Sequence, residues 1–420
     1  DVDCGSVYRN SLASALNRSL TTMANFDKAL TRLTKMQMHL GLFDSKKRQP
    51  YFNYGIDMID SAAHKLLALE ASHQAIVLLK NSEKHLPLTA GKHIAVIGPH
   101  MNSTEALISN YHGSRCVDNT FNCIETPLAA ITKANKGGTT MGVMGCDIAS
   151  TNTNGIAAAG TAAKAADTIV LVVGIDQTQE REGLDRVIST LPGVQTQLIM
   201  NILALHKPTV LVLIHGGTMS LGPIKDAAST IVDAFYGGEM ASVALADVLF
   251  GNVNPSARMA ATMYPPNYVD QLPLTQMAMK VAPGRTHLYY TGTPEFKFGD
   301  GLSYSTFETS LIGTPVTTID TGSTKTKTTF KLQVKNVAGP PGKHTVLAFW
   351  KPSLTTKESN VALSYIQQKM FDYNSVVVAP TQSSTMKFTL DLTTFSVAEE
   401  NGDQYINPGE YEIFFYDGMT

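Results

Sequence analysis

Short runs of β-branched residues alternate with helical stretches between residues 92 and 265. A chain with this alternation folds into a mostly parallel sheet that has helices on both faces. Glycine, proline or polar turns bound each run, and a helix is predicted over residues 194–206. The runs predicted to be strands are residues 93–97, 168–174, 209–214 and 230–235.

A dense group of charges directly follows the apolar run 168–174. Glu180, Arg181, Glu182, Asp185 and Arg186 place three carboxylates and two guanidiniums within a few residues. Ligands bind open α/β sheets just beyond the carboxyl ends of the strands, and neighbouring charges shift the pKa of a carboxyl group. The pattern therefore predicts a candidate site here, with a solvated, salt-bridged loop as the alternative.

The two ends of the chain have different patterns. Residues 1–45 carry apolar side chains near helical period, and a further helix is predicted over residues 70–80 after a linker. In the last ~110 residues, apolar and polar side chains alternate with a period of two, which predicts an antiparallel sandwich of about seven strands. Trp350, the only tryptophan, is predicted to lie in the core of this sandwich.

Composition excludes several classes of function. The chain has 420 residues, 43% of them hydrophobic, and a net charge of -2, so no nucleic-acid partner is expected. No apolar stretch reaches the ~18 to 20 residues that span a bilayer, so no membrane partner is expected. Phosphate-binding glycine motifs and the Gly-x-Ser-x-Gly elbow are absent, and no cofactor is predicted.

The cysteines and two asparagines bear on the cellular compartment. Cys116 and Cys123 are spaced for a short disulfide-closed loop in an oxidising compartment, and two free thiols fit the spacing equally. Cys-x-x-Cys and His-Glu-x-x-His motifs are absent, so no metal site is predicted. Asn17 and Asn102 each begin a glycosylation sequon, which fits a secreted protein.

A series of motifs resembles one known family. The stretch 178–186, with Leu191-Pro-Gly193 and Gln195, resembles the acid/base loop of glycoside hydrolase family 3, in particular its β-xylosidase branch. Other segments resemble the same family in the same order along nearly the whole chain. These segments are residues 1–5, 70–81, 94–99, 237–239, 246–251, 254–258, 285–292 and 296–307.

The resemblance implies a domain plan. Residues 1–45 correspond to the end of a (β/α)8 barrel, 46–85 to a linker and connecting helix, 86–307 to an α/β sandwich, and 308–420 to a fibronectin type III-like domain. In such proteins the barrel carries the aspartate nucleophile, which is therefore expected outside this chain, on an N-terminal portion that is its partner. A proteolytic fragment, one chain of a nicked enzyme and a partial sequence remain alternatives.

The resemblance also implies a mechanism, retaining hydrolysis by two carboxyl groups. Alignment on Glu-x-x-Asp-Arg makes Glu182 the acid/base residue, whereas alignment on Thr-x-Glu makes it Glu180; we favour Glu182. Arg186 and Asp185 are expected to support the loop. Asp176 is expected to contact sugar hydroxyls or to cap the following turn, and Glu239 is a further candidate for substrate binding.

The predicted function is thus the acid/base half of a secreted exo-glycosidase that hydrolyses β-xylosides or related glycosides. The alternative is an inactive family member that acts as a structural or carbohydrate-binding scaffold. Lys297 and Asp300 favour this alternative, because the family commonly has Pro and His at these positions. The sequence leaves the sugar and the oligomeric state open.

Overall fold

The computed structural model describes residues 3–113, 116, 118–314, 318–319, 327–399 and 401–418. Asp1 and Val2 of the N-terminal motif lie outside this range. The chain forms two compact units that divide after Lys65. Within the described residues, no helix combines the length and apolar character needed to cross a lipid bilayer.

The N-terminal unit is helical, as predicted. Helices α1 (Val7–Asn17) and α2 (Met23–His39) contain no buried residue within the described part of the chain. Helix α2 begins at a Thr22 cap, whose hydroxyl accepts the N–H of Asn25. Three short 3-10 helices follow, at Lys46–Arg48, Pro50–Asn53 and Ile56–Met58. Helix α3 (Ala62–His73) leads into the second unit.

The second unit begins with a six-stranded sheet in the order β1-β6-β5-β4-β2-β3. Strands β2 to β6 are parallel to one another, and β1 pairs antiparallel with β6 at the edge. The mostly parallel sheet predicted from the alternating runs is confirmed. The strands are β1 (Val77–Asn81), β2 (His93–Ile97), β3 (Thr139–Val143), β4 (Thr168–Gly174), β5 (Thr209–Ile214) and β6 (Thr230–Asp233).

Several predicted boundaries were wrong. The helix expected over residues 70–80 ends at His73, and Val77–Asn81 instead forms the edge strand β1. The strand expected to reach residue 235 ends at Asp233, and the helix expected to reach residue 206 ends at Leu203. Phe235 and His206 both have a φ of 51°, which neither a strand nor a right-handed helix accommodates.

The helices cover both faces of the sheet. In the buried strands, alternate residues enter one of two apolar cores; in β4, for example, Leu171 lies in one and Val172 in the other. Burying such a side chain completely stabilises the fold by about 1.5–3 kcal/mol. The helices of this region are α4 (Glu105–Ile108), α5 (Pro127–Ala134), α6 (Ile156–Ala165), α7 (Gln195–Leu203), α8 (Pro223–Ala227), α9 (Ala241–Leu249), α10 (Tyr268–Gln271) and α11 (Thr286–Tyr289).

The C-terminal part consists of antiparallel sheets, as the period-two pattern predicted. Sheets β10-β9-β14 and β11-β8-β7 share one apolar core, which contains the fully buried Trp350. Their strands are β7 (Thr306–Leu311), β8 (Lys327–Ala338), β9 (Gly342–Pro352), β10 (Lys369–Val378), β11 (Ser383–Asp391) and β14 (Tyr411–Tyr416). A separate pair, β12 (Ser396–Ala398) and β13 (Gln404–Ile406), and two short helices, α12 (Leu354–Ser359) and α13 (Val361–Ser364), complete this region.

Candidate active site

The strand order creates a crevice between β2 and β4. After β2 the chain moves to one side of the sheet to form β3, and then crosses to the other side of β2 to form β4. Ligands of open α/β sheets bind at such a reversal, outside the carboxyl ends of the strands. The loop after β4, residues 175–190, lies at this edge and contains both candidate glutamates; we call it the glutamate loop.

A tight turn forms the tip of the glutamate loop. The backbone N–H groups of Arg181 and Leu184 each donate to the carbonyl of the other, over 3.2 and 2.9 Å. Glu182 and Gly183 are the central residues of this turn, and Gly183 has a φ of 77°, a conformation that glycine adopts without strain. The Glu-Gly sequence thus places Glu182 at the tip.

Asp176 caps the start of the glutamate loop. Its carboxylate accepts the N–H of Thr178 over 2.9 Å and the hydroxyl of Thr178 over 2.5 Å. Its carbonyl accepts the N–H groups of Gln179 and Glu180, so the chain turns sharply after β4. Of its two predicted roles, Asp176 thus has the turn-capping contacts.

Glu180 is held by the turn that follows β5. Its Oε1 accepts the N–H groups of Gly216 and Gly217 over 2.8 and 3.0 Å, and its Oε2 is 3.1 Å from Nε of Arg186. The side chains of Glu180 and Arg186 are only 18% and 16% exposed. Arg186 also donates to the carbonyl of Thr218 over 3.0 Å. The Glu180 carboxylate therefore has several charged and backbone donors.

Glu182 has different surroundings. Its side chain is exposed and, within the described part of the chain, makes no hydrogen bond or ion pair. Asp185 and Glu239 are also exposed. The two candidate glutamates, only two residues apart, therefore differ in kind: one carboxylate is enclosed by donors, and the other is accessible to a ligand.

Tyr236 was missed by the sequence analysis. It follows β6, and its hydroxyl donates to the carbonyl of Ile175 over 3.3 Å. Burial raises the pKa of Tyr236, and the nearby Glu180 carboxylate raises this pKa further, so the hydroxyl remains protonated. The residue lies in the sequence Phe235-Tyr-Gly-Gly238 and directly precedes the family-like segment 237–239.

Buried polar groups support the same edge of the sheet. Gln195 is fully buried; its amide nitrogen donates to the carbonyls of Ile148 and Gly174, each over 2.7 Å, and its amide oxygen accepts the N–H of Gly174 over 2.9 Å. Nε2 of the buried His215 lies 3.1 Å from the buried Asp233 carboxylate. His215 is thus a hydrogen-bonded core residue.

The loop after β2 lies beside the glutamate loop. Gln177 donates to the carbonyl of Ala106 over 3.3 Å, which joins the two loops. A disulfide links Cys116 and Cys123 in the loop after β2, so the disulfide alternative of the two is confirmed. Of the other cysteines, Cys4 is exposed and Cys146 is buried, and both are free.

Two cavities differ in chemistry. One, of about 640 Å³, lies in the C-terminal sandwich between aromatic side chains such as Phe330 and Phe395. This aromatic lining does not resemble that of a hydrolytic site. The other, of about 240 Å³, is lined by glutamate-loop residues that include Asp185 and Arg186. In the part of the chain that the structure describes, no group of three or more His, Cys, Asp or Glu side chains is arranged to bind a metal ion.

Known proteins resemble the chain in sequence. The family model described as the glycosyl hydrolase family 3 C-terminal domain matches residues 76–304. β-D-xylosidase 1 of Arabidopsis thaliana is 33% identical, over 99% of this chain and 57% of its own length. β-xylosidase/α-L-arabinofuranosidase 2 of Medicago sativa subsp. varia is 38% identical, over 75% of this chain and 41% of its own length.

Solved structures agree. A family 3 exo-β-xylosidase, XlnD, in complex with a xylobiose aziridine probe superposes with a TM-score of 0.86 at 30% identity, over 99% of this chain and 55% of XlnD. A β-glucosidase from Listeria innocua shares the fold with a TM-score of 0.81 at 19% identity. The chain thus spans about half the length of the relatives that it matches. It belongs to glycoside hydrolase family 3 and contains the C-terminal domain of that family.

Proposed function

We propose that this chain supplies the acid/base residue, Glu182, of a retaining glycosidase that hydrolyses β-xylosides or related glycosides. The observation that carries the proposal is the accessible carboxylate of Glu182 at the tip of a loop beside the β2–β4 crevice. The names of the relatives, β-xylosidases among them, support the substrate class.

The contacts of the two glutamates favour Glu182 over Glu180. A general acid needs a proton to give and must reach the glycosidic oxygen. The N–H groups of Gly216 and Gly217 and the guanidinium of Arg186 point at Glu180 and leave its oxygens little room for a substrate. Glu182 has no such donors among the described residues, so its carboxyl group is available for proton transfer.

The proposed reaction has two steps. An aspartate of the preceding (β/α)8 barrel attacks the anomeric carbon while Glu182 protonates the leaving oxygen, which gives a glycosyl-aspartate ester and the free alcohol. Glu182, now a carboxylate, removes a proton from water as the water oxygen displaces the aspartate. In retaining enzymes the two carboxyl groups are about 5 to 5.5 Å apart, which defines where the aspartate must lie.

Neighbouring residues have proposed roles as well. Asp185 and Glu239 are exposed and are proposed to bind sugar hydroxyl groups. Asp176 and Arg186 are proposed to shape the loop, because their side chains are committed to the cap and to Glu180. The order of the motifs along the chain supports these assignments.

The barrel portion is the proposed partner within the same protein. Helices α1 and α2 leave apolar side chains exposed, among them Leu30, Met36 and Met38. We propose that the rest of the barrel covers them. An extracellular location is proposed from the Cys116–Cys123 disulfide, and the exposed Asn17 and Asn102 are proposed glycosylation sites.

The test uses the full-length enzyme, barrel included, with 4-nitrophenyl β-xyloside, α-arabinofuranoside and β-glucoside. We expect turnover of at least one glycoside and a loss of about 100-fold or more in Glu182→Gln, because general acid/base catalysis contributes about 10²–10⁴-fold. Asp185→Asn, which removes a nearby exposed carboxylate, is the matched control and should lose less. Absence of turnover on every glycoside would refute the enzyme hypothesis and favour the scaffold.

A further inference from the structure

We propose that Glu180 is a positioning residue, which fixes Glu182 by tying the glutamate loop to the turn after β5. This inference rests on the proposed function of Glu182 and assigns a separate role to its neighbour. In this proposal, Glu180 holds the loop in place and Glu182 exchanges the proton. Glu180, Arg186, Gly216, Gly217 and Tyr236 form the holding group, which we call the carboxylate cradle.

The cradle joins elements that are distant in sequence. The Glu180 carboxylate follows β4, whereas the N–H groups that it accepts, those of Gly216 and Gly217, follow β5. A third contact, from the N–H of Gly217 to Oε2, measures 3.2 Å. Arg186 closes the loop on itself, because its Nε contacts Glu180 while its Nη2 contacts the carbonyl of Thr218. The residues on both sides of the tight turn are thus bound to the turn after β5.

At two positions of the cradle, a residue larger than glycine would crowd the Glu180 carboxylate. A Cβ atom on Gly216 would lie 2.8 Å from Oε1 of Glu180 and 2.8 Å from the Tyr236 ring. A Cβ atom on Gly217 would lie 2.8 Å from Nη2 of Arg186 and 3.0 Å from Oε2 of Glu180. The two glycines are therefore required for the close approach of Glu180, and not only for the turn after β5.

Glu182 is coupled to the cradle through a short, closed piece of backbone. The reciprocal hydrogen bonds between Arg181 and Leu184 leave the tip few ways to move independently of Glu180 and Arg186. If the cradle opens, the tip shifts with it. A misplacement of about 1 Å at a reacting group costs about 100-fold in rate, so the cradle should act on the rate of proton transfer.

The experiment separates positioning from proton transfer by the use of azide. Azide attacks a glycosyl-enzyme without a general base, so it restores turnover when the base itself is missing. In the full-length enzyme, we expect azide to accelerate Glu182→Ala on 2,4-dinitrophenyl β-xyloside, whose leaving group needs no acid. In Glu180→Ala we expect kcat for 4-nitrophenyl β-xyloside to fall about 100-fold, KM to change less than about 3-fold, and azide to have no effect.

Two more variants test the cradle itself. Gly217→Ala keeps the Glu180 carboxylate but crowds it, and should show the same loss of kcat without azide rescue. Glu180→Gln keeps an acceptor for the glycine N–H groups and loses the charge beside Arg186, so its kcat should lie between those of wild type and Glu180→Ala. Far-ultraviolet circular dichroism checks that each variant is folded.

The outcomes distinguish the two proposals. Azide rescue of Glu182→Ala with an unchanged kcat in Glu180→Ala would refute the positioning role and leave the proposed function intact. Azide rescue of Glu180→Ala alone would make Glu180 the acid/base residue and overturn both assignments. A wild-type enzyme without activity on any glycoside would overturn the positioning role together with the function.

Discussion

Stability should fall in mild acid because of one buried histidine. His100 follows β2 at the crevice; its side chain is fully buried, and its Nδ1 is 2.7 Å from Oγ of Ser103. Burial lowers the pKa of His100 to about 4, while the Asp176 carboxylate opposes this shift and the His215 ring adds to it. In the unfolded chain the pKa of a histidine is about 6.5.

The sign follows from the direction of the shift. Because the folded state keeps His100 neutral, the unfolded state binds the proton more readily, and acid favours unfolding. The contribution is fully present above about pH 6.5 and is lost as the pH falls towards 4. At pH 5 the expected loss is about 2 kcal/mol, approaching about 3 kcal/mol below pH 4.

Urea unfolding at pH 8 and pH 5 measures the effect. Wild type should lose about 2 kcal/mol more than His100→Gln between these pH values, since the contributions of all other groups cancel in the comparison. His206→Gln, which removes an exposed histidine, is the matched control. If wild type and His100→Gln lose equal stability, His100 is charged in the folded protein or exposed to water, and the reasoning fails.

Three further variants test the packing around the site, the domain junction and the disulfide. Gln195→Leu should destabilise the chain by about 3 kcal/mol in urea, because it leaves buried backbone groups without partners; a loss below about 1 kcal/mol would contradict this. Tyr416→Phe should cost about 2 kcal/mol, since the Tyr416 hydroxyl donates to the Asp300 carboxylate across the junction with the sandwich; unchanged unfolding would refute that contact. Replacing Cys116 and Cys123 by serine should lower the free energy of unfolding by about 2 kcal/mol, by the loop-closure estimate. If loss of the disulfide is the only cause, reduction of the wild type should lower its melting temperature as much as the two serine substitutions do.

The prediction of Asp300 as a departure from the family pattern has a structural counterpart. Its carboxylate accepts the N–H of Lys297 over 2.7 Å and the hydroxyl of Tyr416. These contacts join the end of the α/β region to strand β14. The substitution that favoured an inactive scaffold is therefore compatible with a role in holding domains together, and by itself it does not argue against activity.

The parallel strands β2, β4, β5 and β6 were predictable because each has an apolar run between turn residues. β1 was not, because Val77–Asn81 directly follows a good helical sequence and becomes a strand only by pairing with β6. The sequence of residues 77–81 does not indicate that pairing. β3 also lacked a signal, since its five residues include Gly142 and none is buried.

The candidate site was predictable in part for a similar reason. The charges at 180–186 are contiguous and follow an obvious strand, so their position at the sheet edge could be deduced. The difference between Glu180 and Glu182 could not, because it depends on Gly216 and Gly217, which reach Glu180 only when β4 and β5 pair. A sequence-based argument gives the residues of a site more readily than the division of roles among them.

The position of β1 at the far edge of the sheet affects the order in which the protein can fold during synthesis. Val77 emerges from the ribosome before every parallel strand, yet its partner Asp233 is in the last of them, and Leu78 also pairs with Leu302 later still. Until then, the apolar residues of this strand have no sheet to join. Long delays of this kind slow folding and expose unpaired edges to other chains. The edge strand β1 therefore stays without its sheet partner until residue 233 has been synthesised.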